Sequence, residues 1–443
     1  MQGDEACRGS LHQSWRSFNS KRQIESWQGT GDRRRSRALF QRYAENVAAP
    51  DWGTRTAKRR RHMSRNRPRR LWPAVTIGAA LAASPLATGE EVRRPAATPL
   101  TAEESLGKRL FFEKSLSTPP GQACSACHDP RAAFANPDTG LPVSRGARPG
   151  LYGNRNDQPV AYAAFVPARH RDPEEGLWVG GLFWDGRANT LAEQAQGPPR
   201  NPLEMANPDV ETIAAKLRAL DYAPLFTEVY GDDALADPQK AFAHMADAIA
   251  AYERTPEVSP FDSKYDHWLR GDAELSEQER RGLQVFEAEE KGNCAACHPS
   301  RPARDGSPPV FTDFTYDNLG VPPNPESPFY LLPARLNPDG FAFVDLGLGA
   351  VVKDPEQNGK FRVPTLRNVA VTSPYMHNGV FKTLFQVLAF YNTRDVARWP
   401  APEVGQNVNR EELGNLRLTN QELEDVVAFL QTLTDGWRPA SSK

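Results

Sequence analysis

The sequence predicts an all-α, loop-rich fold built from two tandem copies of one helical unit, and three observations predict it. Apolar residues recur at the three-and-four spacing of amphipathic helices and seldom alternate as strands do. The 39 prolines and 32 glycines gather in long stretches between those segments, where they act as turn and loop residues. A pattern of five residues, Cys-x-x-Cys-His, stands at residues 124–128 and again at 294–298, 170 residues apart, each time behind a similar amphipathic segment. With 443 residues, 39% apolar and 25% charged, the chain has room for about two or three domains.

Taken in order, the chain opens on a basic head. Residues 1–89 hold 18 Lys/Arg against 6 Asp/Glu, while residues 90–443 hold 36 against 49, so the body is acidic. From Met63 onward an arginine-rich stretch at 65–70, a short apolar run at 71–83 and small residues up to Gly89 form the pattern of a cleaved export signal. That run is too short to span a bilayer comfortably and contains Pro73. A periplasmic location with no membrane anchor in the mature form is therefore expected. Residues 1–62 show no periodicity; an over-long gene start upstream of Met63 accounts for them, the alternative being a nucleic-acid-binding arm. No nucleic-acid partner is expected of the body.

The body divides into an N-terminal unit at 97–260 and a C-terminal unit at 261–443. Residues 103–112 read as a helix with Leu106, Leu110 and Phe111 on one face, and residues 276–288 repeat the arrangement with Gly282, Leu283, Val285 and Phe286. Between them, 209–220 and 238–254 are helical in pattern and 256–260 reads as a linker. Helices follow near 382–391 and at 419–433. Ser276 with Glu279, and Thr419 with Glu422, are capping boxes that open two of these helices. Loops such as 137–159 and 300–340 fill the rest, with strands few and short.

Cys-x-x-Cys-His is the attachment signature of a c-type haem: two thiols add to the haem vinyl groups and the adjacent histidine lies under the iron. Cys124, Cys127 and His128 would hold one haem, and Cys294, Cys297 and His298 a second, so the tandem units are expected to be cytochrome c-like haem domains. One all-thiolate zinc site is the competing reading, but paired motifs of that kind are normally about 15–20 residues apart. A redox-active Cys-x-x-Cys pair leaves both histidines unexplained. Apart from Cys7 in the head, these motifs use every cysteine.

From about residue 106 to 433 the chain resembles the bacterial di-haem cytochrome c peroxidases and their MauG relatives. The likeness is carried by Leu110-Phe111-Phe112, Phe183-Trp184-Asp185-Gly186-Arg187, Asn201-Pro202-Leu203-Glu204-Met205, Pro364-Thr365-Leu366-Arg367-Asn368 and Pro374-Tyr375-Met376-His377-Asn378-Gly379, in that order. The resemblance implies that Trp184 lies between the two haems as a relay, although a tryptophan taken alone reads first as a core aromatic. It makes Glu204 the acid/base over the first haem, where a Pro-flanked carboxylate would otherwise be a solvated turn residue. Gln194 would be a second polar group of that pocket, the plain alternative being an exposed helix position. It also implies a Ca²⁺ between the domains, held by Asn156, Thr372 and Pro374, all oxygen donors. Here the chain reads Asn156-Asp157-Gln158-Pro159 in place of the family's Asn-Ala-Pro-Thr, and Asp157 offers an extra carboxylate.

The sixth ligand of the second haem separates the subfamilies. Fourteen residues after His377, where the cytochrome-dependent peroxidases carry methionine and MauG-like members tyrosine, stands Tyr391. A phenolate is a harder, anionic donor and should lower the iron's potential. Met376 is the competing ligand, and His377 is expected beside that pocket. On the first haem, the position of the family's blocking histidine holds Arg148, so an open distal side is expected; His170 is the alternative ligand there. The reading that follows is a periplasmic peroxidase, MauG-like at Tyr391, that takes hydrogen peroxide and oxidises a small cytochrome c, a cupredoxin or a protein substrate. A plain cytochrome c peroxidase is the first rival, and a non-catalytic di-haem electron carrier the second.

Overall fold

The structure is a computed structural model that describes residues 99–439, which lie within one compact unit. The expected export signal, the Met63 start and the basic head fall outside the described residues. Eleven α-helices are present among the described residues: α1 (Ala102–Phe111), α2 (Leu191–Ala195), α3 (Gly197–Arg200), α4 (Val210–Arg218), α5 (Pro224–Tyr230), α6 (Pro238–Glu253), α7 (Lys264–Leu269), α8 (Glu277–Glu287), α9 (Leu348–Val352), α10 (Leu384–Thr393) and α11 (Asn420–Gln431). The four strands have two residues each and form two antiparallel ribbons: β1 (His170–Arg171) with β2 (Trp178–Val179), and β3 (Tyr316–Asp317) with β4 (Phe361–Arg362). The structure is thus helix-rich, with few and short strands. α2, α3, α5, α7 and α9 are too short to show a helical period and were not expected from the sequence.

Two hydrophobic cores organise these elements, one drawn from Leu106 to Phe261 and the other from Tyr265 to Leu433. Each is centred on a helix crossing made possible by a glycine. On α1, a Cβ at Gly107 would stand 1.8 Å from the Ala248 carbonyl oxygen of α6; on α8, a Cβ at Gly282 would stand 1.9 Å from the Asp425 carbonyl oxygen of α11. Only glycine allows backbones to approach so closely. Four residues after each glycine comes a buried phenylalanine. Phe111 meets Tyr252 edge-on at 5.5 Å and Phe134 at 6.0 Å; Phe286 meets Phe429 at 5.1 Å and Phe311 at 6.4 Å. Capping boxes open both first helices, at Thr101/Glu104 and Ser276/Glu279, and α11 at Thr419/Glu422, each satisfying amide donors that a helix start leaves unpaired.

The stretch 256–260 is not a loose linker. Val258 is fully buried, and the Ser259 hydroxyl accepts the Tyr162 amide proton at 2.9 Å. Further polar ties join the two cores. Arg367 and Asp266 form an ion pair that is fully buried on both sides, enclosed by the rings of Tyr162, Phe261 and Phe311. The Tyr162 hydroxyl donates to Asp435, and Arg155 pairs with both Asp185 and Asp345.

Candidate active site

Each Cys-x-x-Cys-His motif folds into one tight turn, in which the amide of the following histidine donates to the carbonyl of the first cysteine, Cys124 or Cys294, at 2.9 Å. The turn brings both thiols and the imidazole to the wall of one cavity. Cys124, Cys127 and His128 line the first cavity, of about 180 Å³, and Cys294, Cys297 and His298 the second, of about 220 Å³. Because the pairs serve separate cavities, the single four-thiolate zinc site is ruled out. Burial pushes all four thiols up to about 12. They are therefore neutral at pH 7 and carry no charge into the cavity walls.

The histidines share one arrangement. Burial lowers each imidazole to about 4, so both are neutral. His128 Nδ1 meets the Phe134 carbonyl at 3.2 Å and His298 Nδ1 meets the Phe311 carbonyl at 2.7 Å. A carbonyl only accepts, so Nδ1 carries the proton and Nε2 keeps its lone pair, as a metal-ligating histidine requires. Both phenylalanines adopt the left-handed backbone, with φ of 58° and 54°.

The first cavity's far wall is polar. α3 ends at Asn201, whose side chain donates to Glu204 Oε1 at 2.8 Å and accepts the Leu203 amide at 3.0 Å, fixing the 201–204 loop. Glu204 is pushed up to about 7, first by burial and then by Asp157, against Arg187 and Asn201. Gln194 of α2 lines the same cavity. A further pocket lined by Phe183, Arg187, Asn201 and Glu204 adjoins it. Arg187 stacks on Phe183 at 3.5 Å and is held by Asp185 at 2.9 Å. Among the described residues, His128 is the only histidine on this cavity's wall. The sequence's alternative ligand, His170, is exposed on β1 and bonds the Ala168 carbonyl, away from the cavity. Arg148 is also exposed, its guanidinium on the Thr118 and Ala206 carbonyls.

Trp184 lines both cavities, together with Asn156, Asp157, Gln158, Pro159 and Arg362. Its indole donates to the Asn156 carbonyl at 2.8 Å. Asn156 in turn donates its backbone amide to the His377 carbonyl at 2.8 Å and its side-chain amide to the Pro374 carbonyl at 2.5 Å. Asn156, Thr372 and Pro374 all line the second cavity. Asp157 turns instead to the Ser144 hydroxyl and is raised to about 6 by burial.

Both candidate sixth ligands line the second cavity. Tyr391, on α10, has its phenol pushed upward by burial and by Cys294, and Met376 sits at a left-handed φ of 72°. His377 is 4% exposed, so it is no surface histidine; it stacks on Phe361 at 3.7 Å and meets Glu403 at 3.1 Å. Two buried ionisable groups were not anticipated. Glu253 ends the apolar stripe of α6 behind Met245 and Ile249, lines the first cavity and is raised to about 8 by burial. A carboxylate in step with that stripe was the available signal. Arg362 stands between the cavities, and nothing in its local sequence marks it.

Two facing cavities, each with a thiol pair and a neutral proximal imidazole, joined through one tryptophan, define a di-haem oxidoreductase. A family model described as di-haem cytochrome c peroxidase matches residues 101–274. The methylamine utilization protein MauG of Paracoccus denitrificans is 42% identical over 370 residues, covering 79% of this chain and 92% of that protein. The cytochrome-c peroxidase IdrP1 of Denitromonas iodatirespirans is 33% identical, over 79% of this chain and 86% of its own length. The crystal structure of the di-haem peroxidase BthA from Burkholderia thailandensis superposes with a TM-score of 0.68 at 35% identity, covering 77% of this chain and 88% of that one. The chain belongs to the di-haem cytochrome c peroxidase and MauG family. It is an oxidoreductase acting on peroxide, with two haem groups.

Proposed function

We propose that this chain is a periplasmic peroxidase of the MauG-like kind, with two c-type haem domains. Each haem is attached by thioethers, at Cys124 and Cys127 and at Cys294 and Cys297, with His128 and His298 as proximal ligands. When bound, the haems supply peroxide activation and electron storage. The protein's own groups do the rest. Glu204, poised near neutrality, takes a proton from one peroxide oxygen and returns it to the other; Gln194 orients the molecule; Trp184 lines both cavities as the relay. Tyr391 ligates the second haem. Asn156, Thr372 and Pro374 hold a calcium ion where the two cores meet.

The observation that carries this reading is the pairing of Glu204 and Gln194 on the cavity that also contains His128. A non-catalytic carrier has no use for a carboxyl and an amide set together on the cavity that holds the histidine. The plain cytochrome c peroxidase stays in play because Met376 shares the second cavity with Tyr391. Location in the periplasm is supported by the export pattern after Met63; no helix among the described residues is long and apolar enough to cross a membrane. The test is a peroxide assay on protein carrying both haems, with reduced cytochrome c, a cupredoxin and the protein encoded beside it as donors. Oxidation of a neighbouring protein's side chains supports the MauG-like role. Turnover with the small carriers alone would reassign the chain to peroxide removal, and no turnover with any donor to electron carriage.

A further inference from the structure

The second cavity is acidic. Asp157, Asp317, Asp345, Glu403 and Glu412 line it, and among the described residues Arg362 is the only lysine or arginine that does. A haem brings two more carboxylates, its propionates, into this space. The other arginines nearby are already committed: Arg155 to Asp345 and Asp185, Arg187 to Asp185, and Arg367 to Asp266.

Arg362 is different. It lies on β4 with its backbone amide bonded to the Trp184 carbonyl at 2.9 Å, and it is 6% exposed. Its side chain forms no ion pair with any described residue. The nearest polar contact is the Gln158 amide oxygen at 3.5 Å, the Phe314 ring lies 6.0 Å away, and Nε is buried without a partner. Burial lowers the guanidinium to about 10, still a cation at neutral pH. A buried charge without a counter-ion is strongly unfavourable. The one carboxylate source the site is built to receive is the cofactor itself.

We infer that Arg362 is the counter-ion for a propionate of the haem in the second cavity, anchored at the partition the two haems share. This rests on the haem reading above. It gives Arg362 a job opposite to that of Tyr391: the cation favours the reduced iron, and the phenolate favours the oxidised one. A guanidinium fits because its planar fork meets a carboxylate with two parallel donors.

The test compares wild type, Arg362→Gln and Arg362→Lys, each matured with both haems and checked for two haem additions by mass. Spectroelectrochemistry should show the second haem's ferric-to-ferrous ratio at a fixed potential rising about tenfold in R362Q, a fall of about 59 mV for a one-electron couple. R362K should shift it less, because the charge remains. If R362Q does not mature, resonance Raman spectra of wild type and R362K carry the test: the propionate bending band of the second haem should move when a fork becomes a point donor. Coincident potentials, or an unmoved band, in protein carrying both haems would overturn the assignment of Arg362. Wild-type protein lacking haem at Cys294 and Cys297 would instead overturn the haem reading beneath it.

Discussion

The two halves of the described chain share a scaffold and differ in the side chains that line their cavities. Gly107, Phe111, Tyr252 and the Phe134 carbonyl on His128 have their counterparts in Gly282, Phe286, Phe429 and the Phe311 carbonyl on His298. Opposite the imidazole the likeness ends. The first cavity presents Glu204, a carboxyl able to hold and release a proton, and the polar amide of Gln194, and the second presents Tyr391, Met376 and His377. Under the proposed function, one scaffold would hold a cofactor twice, and a few side chains from other elements would set which site meets peroxide and which keeps electrons.

That comparison can be broken most severely at the thiols. Replacing Cys124 and Cys127 by serine should leave a single haem by mass and abolish peroxide turnover, while the same change at Cys294 and Cys297 should leave peroxide binding at the first site and remove turnover with external donors. Equal loss of both haems from either pair would deny the halves their independence. Next in size is Glu204→Gln, which should lower kcat/KM for peroxide by about 10²–10⁴ without moving the second haem's spectrum. Because the wild-type carboxyl titrates near 7 and must be ionised to accept a proton, activity should fall as pH drops below about 7. E204Q should flatten that limb of the profile.

Smaller effects sharpen the likeness of the two crossings. Gly107→Ala and Gly282→Ala should each cost about 1–3 kcal/mol in denaturant unfolding, since the new methyl meets a backbone carbonyl that cannot swing aside. A large loss at one glycine and none at the other would show that the crossings are not equivalent. Least visible is Glu253→Gln. The buried carboxyl keeps its proton up to about pH 8 in the fold and loses it near 4.5 once unfolded, so between those values the native state binds more protons and stability declines as pH rises. E253Q should match wild type below about pH 4 and exceed it above about pH 8 by a few kcal/mol, read from urea midpoints across pH.

Much of this was legible because it is local. The caps at Ser276 and Thr419, the helical stripes and the Cys-x-x-Cys-His turns depend on neighbours within a few positions, and each forms within a residue or two of its expected place. Glu204 and Trp184 were singled out through contiguous motifs that carry the family resemblance, and Gln194 through its spacing after Trp184. The alternative ligand His170 drops out because nearness along the chain is not nearness to the cavity. Residues 256–260 were read as a linker because prolines mark turns equally well when the turn is packed.

By itself the sequence placed two thiols and an imidazole within five residues, twice, a spacing that one tight turn brings to a single cavity wall. Only the tertiary structure decided what surrounds them. Asn156 reaches Pro374 across 218 positions, Glu204 and Glu253 owe their raised proton affinity to desolvation, and Arg362 is left unpaired by the packing around it. Those properties belong to a low-dielectric interior assembled from distant segments, which no local pattern of residues encodes.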